Sequence, residues 1–165
     1  MTTPEDRLRR LGITLPEVSA PAANYANFAL AGGLLFISGK GPAGHPRGKL
    51  GAELTTEEGY RFARAAGIEA LAAAKAAIGR LDRVKRVVKV QGFVNAAPDF
   101  EEPHLVLNGC SDLMIDAFGP NGAHARSVLG AASLRGQLPV IVDCIFEVEN
   151  EEREGSEDEN GGYYV

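Results

Sequence analysis

Arg126 is the residue of this 165-residue chain whose chemistry points most directly at a ligand. It follows the turn signals of Gly119–Gly122 and precedes the apolar run Val140–Val148. A guanidinium offers a rigid fork of donors that fits a carboxylate or phosphate bidentately. Arg126 therefore reads either as an anion clamp or as half of a surface or interface ion pair. Arg135, beside Gly136, reads as a solvated turn residue. Ser127, Ser38, the backbone at Gly39, the ring of Tyr25 and Asn108 complete a binding constellation. Each has a local alternative: Ser38, Ser127 and Asn108 can bond nearby backbone, and Tyr25 can serve as an interface aromatic. Asp143 is the carboxylate in the middle of Val140–Val148. Strand alternation puts it with Ile141 and opposite Val142 and Cys144, where it is either paired structurally or used in chemistry.

Other chemistries lack their residues. His45, His104 and His124 form no HExxH and have no cysteine partner at ligand spacing, so no metal is expected. The string SGKGPAGHPRGK at 38–49 lacks the spacing and the Lys-Ser/Thr ending of a phosphate loop, and no cofactor is expected. Gly39 and Gly41 read as a turn or as a place where a ligand nears the backbone, and His45 as a surface loop residue. Ser38, Ser111, Ser127 and Ser133 show no nucleophile-elbow setting. Cys110 and Cys144 lie in apolar contexts without CxxC spacing and fit small buried hydrophobes in a reducing, cytoplasmic setting.

Charge is concentrated at one end. Residues 149–165 carry seven acids and one Arg, so the net −5 of the chain leaves +1 for residues 1–148. One folded domain over 1–148 and a disordered acidic tail over 149–165 are expected. The basic residues are scattered apart from a loose cluster at Arg80–Lys89, which argues against a nucleic-acid track. No apolar run reaches the ~18–20 residues of a membrane span.

The elements that must position these groups follow from pattern. Pro4–Leu11 reads as a short helix stopped by Gly12, and Leu34–Ser38 as an apolar strand. Thr55 and Glu58 form a capping box before a stripe of Tyr60, Ala63, Gly67, Leu71, Ala74 and Ile78 that ends at Gly79. Residues 84–94 alternate as a strand, with Val88, Val90, Gly92 and Val94 on one face and Val87, Lys89, Gln91 and Phe93 on the other. A second helix is predicted over Pro103–Phe118 with Leu107, Met114 and Phe118 buried, followed by strands near Arg126–Ala132 and over Val140–Val148. This order implies an α+β fold with one layer of two helices over one face of a mixed sheet. The other face then needs cover, and oligomerisation is its natural source.

Five segments resemble the YjgF/RidA superfamily: APAANYANFALAGGLLFISGKGP at Ala20–Pro42, VVKVQGFVNAAPDF at Val87–Phe100, LNGCSDLMIDAFG at Leu107–Gly119, HARSVLGAASL at His124–Leu134 and VDCIFEV at Val142–Val148. The APAANY and NAAPDF versions resemble a branch distinct from the best-studied deaminases. The resemblance implies a chorismate-mutase-like homotrimer with inward sheets and clefts between subunits. It also implies hydrolysis of small 2-imino acids to 2-oxo acids and ammonia. In that scheme Arg126 holds the substrate carboxylate, Tyr25 lines the cleft, Gly39 offers backbone, and Asn108 matches the asparagine of the second helix. Active members commonly place a water-positioning glutamate where this chain has Ile141. Asp143, the next acid on that face, starts ~6.6 Å further along at ~3.3 Å per residue. A trimer that binds small carboxylate metabolites without turnover is the alternative.

Overall fold

The computed structural model describes residues 1–150. Five strands form one mixed sheet in the order β1-β2-β5-β3-β4: β1 is Phe28–Ala31, β2 Leu34–Lys40, β3 Val84–Asn95, β4 Ala125–Ala131 and β5 Val140–Val148. β3 and β4 run parallel and every other pair is antiparallel. Parallel neighbours need a crossover, and helix α3, Pro103–Phe118, supplies it. Helix α2, Thr56–Ile78, packs beside α3 and lies over β2 and β5, while α3 lies over β3 and β4. The short helix α1, Pro4–Arg10, packs against α3.

Local chemistry explains the boundaries. Thr3 with Asp6 and Thr55 with Glu58 close reciprocal capping boxes at the starts of α1 and α2. Gly79 ends α2 at φ 82°, a conformation that costs a glycine little. Pro103 opens α3, where the missing N–H is no loss.

Small residues decide how closely the layers approach. A Cβ on Gly109 of α3 would lie 1.9 Å from the Tyr60 carbonyl oxygen of α2, so the two helix backbones touch. Gly67 faces Cys110 and Leu113, and Gly92 of β3 faces Leu107, each leaving less room than a methyl needs. The core between helices and sheet buries Leu71, Val90, Leu107, Met114, Val142 and Phe146 completely. There the rings of Phe118 and Phe146 sit 6.1 Å apart.

Three local expectations are corrected. Strand β1 was not foreseen; its residues are all exposed, so it carries no inward/outward alternation. Its signal was the Gly32–Gly33 dipeptide, whose positive φ angles (57° and 76°) fit the two-residue hairpin that joins it to β2. In β3 the faces of Val87 and Val88 are exchanged: Val87 is buried and Val88 only half-buried. The β3–β5 register shifts between Val87 and Lys89, so Val88 is the extra residue of a bulge. Gly39 belongs to β2 and not to a turn, and a Cβ there would stand 2.9 Å from Ile141 Cγ2. The proposed tail begins inside the described region, where Glu149 N–H donates to the Arg83 carbonyl at 2.9 Å. The remainder of that tail, 151–165, lies outside the described residues.

Among the described residues nothing covers the sheet face away from the helices. Phe93, Ile141 and Ile145 are half-buried there, while Phe36 and Leu129 are 40% and 55% exposed. Strand register puts Asp143, Gln91 and Ser127 in one polar row across this face. Apolar residues flank it: Ile141, Phe93 and Leu129 on one side, Ile145 and Phe36 on the other.

Candidate functional site

Five of the predicted site residues fall into two groups toward opposite edges of the sheet, and Ser127 and Asp143 lie in neither. Arg126 lies on β4 opposite Val90, a core residue, and its side chain turns toward α3. Its Nη1 donates to Asn108 Oδ1 at 2.8 Å and to Ser111 Oγ at 3.3 Å, and its Nη2 donates to the His104 carbonyl at 3.1 Å. His104, Asn108 and Ser111 are spaced by four and three residues, which puts all three acceptors on one helix face. These bonds occupy three of the five guanidinium N–H groups and leave Nε–H and one Nη2–H for another acceptor.

All three acceptors are neutral. Among the described residues Arg126 makes no ion pair. The acids of α3 are engaged by α2: Asp112 accepts from the Tyr60 hydroxyl at 2.6 Å, and Asp116 pairs with Arg64 at 2.8 Å. The guanidinium is thus aimed by dipoles without being neutralised, an arrangement that favours an incoming anion. His124 stands beside it, with Nε2 2.9 Å from Ser111 Oγ and Nδ1 2.5 Å from the Gly122 carbonyl.

The second group gathers around β2. Tyr25 Oη accepts from the Ala22 N–H at 3.1 Å. Ser38 donates to the Ala26 carbonyl at 2.5 Å, so its hydroxyl ties the preceding segment to the strand. Tyr25 and Gly39 line a cavity of about 250 Å³ together with Lys40, His45, Glu69 and Arg135. Lys40 is buried, and its Nζ donates to Asn27 Oδ1 at 2.5 Å. Burial pushes the Lys40 pKa down, with Tyr25 and Glu69 opposing that shift. Burial also pushes the Glu69 carboxyl up, against the pull of Lys40. Arg135, read from the sequence as a solvated turn residue, is exposed but borders this cavity.

Two predicted residues stand apart from Arg126. Ser127, its neighbour in sequence, occupies the polar row of the open face, so its side chain leaves the sheet on the opposite side. Asp143 shares that row beyond Gln91 and is likewise across the sheet from Arg126. Burial raises the Asp143 pKa, and Lys89 partly offsets the rise. Within one chain, then, Arg126 and Asp143 are not brought together. Ile141 packs over Gly39 and so belongs to the Tyr25 group.

Sequence reasoning passed over Lys40, Ser111 and His124. A lysine among glycines and a serine inside a helix carry no local motif, and the pairing of Ser111 with His124 exists only after β4 docks on α3. Asn95 was missed as well. It is fully buried and links Gly48, Gln137 and Lys49 through its amide. Cys110 and Cys144 are buried free thiols, as their contexts suggested. The hydrogen bond that the Cys144 thiol donates to Cys110, with burial, holds the Cys144 pKa well above its ordinary value.

Comparison with known proteins finds relatives in sequence and fold. A family described as "YjgF/chorismate mutase-like, putative endoribonuclease" matches residues 5–146. Protein TCP17 of Trypanosoma cruzi is 45% identical over 148 residues, spanning 87% of this chain and 92% of its own. The crystal structure of Atu1372 from Agrobacterium tumefaciens is 39% identical with a TM-score of 0.82, covering 88% of this chain and 92% of that one. A "putative endoribonuclease" from Shewanella oneidensis is 34% identical with a TM-score of 0.86, covering 88% and 99%.

Proposed function

Because the chain belongs to the YjgF/RidA superfamily, we propose that it hydrolyses small 2-imino acids to 2-oxo acids and ammonia in clefts between the subunits of a homotrimer. The observation that carries this reading is Arg126: a guanidinium oriented by three neutral acceptors, with two donors left over and no counterion among the described residues. Those donors fit a substrate carboxylate bidentately. With its carboxylate held, the electron-poor C=N carbon is fixed for addition of water, and positioning alone contributes strongly to such a reaction.

The cleft has to be shared between chains. β2 and β4 are three strand steps apart, roughly 14 Å at ~4.8 Å per step. Tyr25 and Gly39 cannot close around an anion held by the same chain's Arg126 at that separation. The edge of one subunit supplies the clamp, and the edge of another supplies the aromatic wall and backbone. The uncovered apolar rows on the sheet supply the burial that such an assembly needs.

The test is complementation between disabled subunits. Arg126→Ala and Tyr25→Ala proteins, each inactive toward a freshly generated imino acid, regain ammonia release when unfolded together and reassembled. Mixed trimers then contain some cleft built from an intact Arg126 edge and an intact Tyr25 edge. No recovery in mixed assemblies of verified composition counts against a shared cleft.

A second reading has its own observation. Ile141 occupies the position of the water-placing glutamate and packs against Gly39, where it can neither orient water nor move a proton. A trimer that binds 2-oxo acids without turnover meets that geometry equally well. Calorimetry with a 2-oxo acid, alongside the ammonia assay, separates the two: saturable binding without turnover selects the binder.

A further inference from the structure

The hydrogen bonds beside Arg126 have a fixed direction. The Gly122 carbonyl can only accept, so His124 Nδ1, at 2.5 Å, carries the ring proton. Neutral His124 then presents a lone pair at Nε2, which accepts the Ser111 hydroxyl at 2.9 Å. Ser111 Oγ in turn accepts from Arg126 Nη1 at 3.3 Å. The chain of donors runs from Arg126 through Ser111 to His124, with the imidazole oriented by a backbone carbonyl.

That carbonyl is itself held firmly. Gly122 is buried against α3, and a Cβ there would stand 2.2 Å from the Met114 carbonyl oxygen. Only glycine lets the turn press so close, and the turn sets the ring of His124 against Ser111. Ser111 and His124 are both only half-buried. A base oriented by a third group and bonded to a hydroxyl is the arrangement that proton transfer requires.

We propose that Ser111 and His124 are the proton-transfer pair of the Arg126 site and perform the acid–base work for which Ile141 has no group. The inference rests on the imine-hydrolysis reading above. Water adds through its oxygen to C2 of the iminium form, and the C=N π pair moves to nitrogen. The proton lost by the water passes through Ser111 Oγ to His124 Nε2. The imidazolium returns that proton to the carbinolamine nitrogen. The C–N bond then breaks, ammonia leaves, and the hydroxyl proton passes back to His124 as the 2-oxo acid forms. Transfer of that last proton to ammonia gives ammonium and restores the neutral ring. One iminium and one water thus become one 2-oxo acid and one ammonium, with no other reactant.

The charged groups around the pair are few. Arg126 faces it from β4 through Ser111. Asp112 and Asp116 on α3 are taken by Tyr60 and Arg64. Lys89 lies beside Ala125 in the sheet register. The turn 119–122 has no ionisable side chain of its own, but the Arg7 guanidinium of α1 lies against it at Gly119, and His104 on α3 meets Arg126 through its carbonyl.

The experiment measures steady-state hydrolysis of an imino acid generated in situ from an amino acid by an oxidase, for the full chain, His124→Ala, His124→Asn, Ser111→Ala and Arg126→Ala. Loss of a positioned acid–base group lowers kcat by about 10²-fold, while KM stays near the wild-type value. Wild-type kcat falls on the acid side as one histidine protonates, and both His124 variants lack that limb. Imidazole added to the medium restores His124→Ala at least about tenfold and leaves His124→Asn and Arg126→Ala unchanged. A structural role for the ring would show no such rescue. Wild-type turnover with undiminished kcat and an unchanged acid limb in both His124 variants overturns the relay yet leaves the deaminase reading standing. Absence of turnover in the wild type, with 2-oxo acid still bound at Arg126, overturns both.

Discussion

β4, at one edge of this sheet, and β2, one strand in from the other edge, each carry a cation, and the two cations are treated differently. Lys40, on β2, is buried, donates to Asn27 Oδ1 and feels the Glu69 carboxylate, yet it makes no ion pair among the described residues and burial lowers its pKa. Arg126, at the β4 edge, receives only the neutral oxygens of Asn108, Ser111 and His104. Burying a cation without a counterion is costly unless dipoles or an incoming anion compensate it. The difference teaches that, among the described residues, the β2 cation has a carboxylate within electrostatic reach while the β4 cation has only neutral oxygens and two donors to spare. The β2 side offers shape, an aromatic ring and backbone, and the β4 edge offers charge.

The largest expected effect removes the structural basis of that contrast. Gly109→Ala sets a methyl 1.9 Å from the Tyr60 carbonyl and forces α2 and α3 apart, displacing Asn108 and Ser111 beneath Arg126. A backbone contact cannot yield as a side chain does, so a loss of about 3 kcal/mol in urea unfolding is expected.

Arg126→Ala comes next. Charge-assisted hydrogen bonds contribute about 1.5–3 kcal/mol each, so losing the bidentate pair should lower 2-oxo acid affinity by about a hundredfold or more. Calorimetry showing unchanged affinity would falsify the assignment of charge to this edge.

Ile141→Glu sharpens the comparison from the other side. It places a carboxylate beside Gly39 in a site whose acid–base work the Ser111–His124 pair already supplies, so kcat is expected to stay within about threefold of wild type. A rise of about tenfold or more, with binding intact, would show instead that general base assistance was missing.

The smallest effect is a pH dependence at Asp143, on the open face. Burial raises its folded-state pKa above the ordinary 3.8, so the native state binds its proton more tightly than the unfolded state does. That contribution is fully present below about pH 3.8 and is lost as pH rises through the raised value. Asp143→Asn should therefore melt slightly higher than wild type at pH 7, and the difference should vanish below about pH 3.8. A melting difference independent of pH would show instead that the carboxylate is already compensated.

Much of the fold was legible because its signals are local. The capping box at Thr55, the glycine stop at Gly79, the proline start at Pro103 and the alternation of Val140–Val148 each report on a few neighbouring residues, and each element formed where it was read. Strand β1 escaped because an edge strand exposed along its length has no alternation to show. The bulge at Val88 escaped because register belongs to a pair of strands, and one extra residue reverses the side that Val87 faces.

The site was legible by residue type and not by arrangement. Composition and pattern singled out Arg126, Asn108, Tyr25 and Gly39, because a guanidinium, a helical amide, an aromatic ring and a bare backbone have chemistry that does not depend on context. Which of them share an edge was decided only by the order β1-β2-β5-β3-β4, which sets residues adjacent in the binding scheme on opposite sides of the sheet. The side of the sheet was likewise a tertiary matter: Arg126 and Ser127, consecutive in sequence, leave β4 in opposite directions, and Ser111 meets His124 only across the α3–β4 junction. The amino-acid string specifies which groups can donate, accept or carry charge. Packing then specifies which of those groups remain without a partner, because satisfaction of a polar group is a property of its neighbours in space.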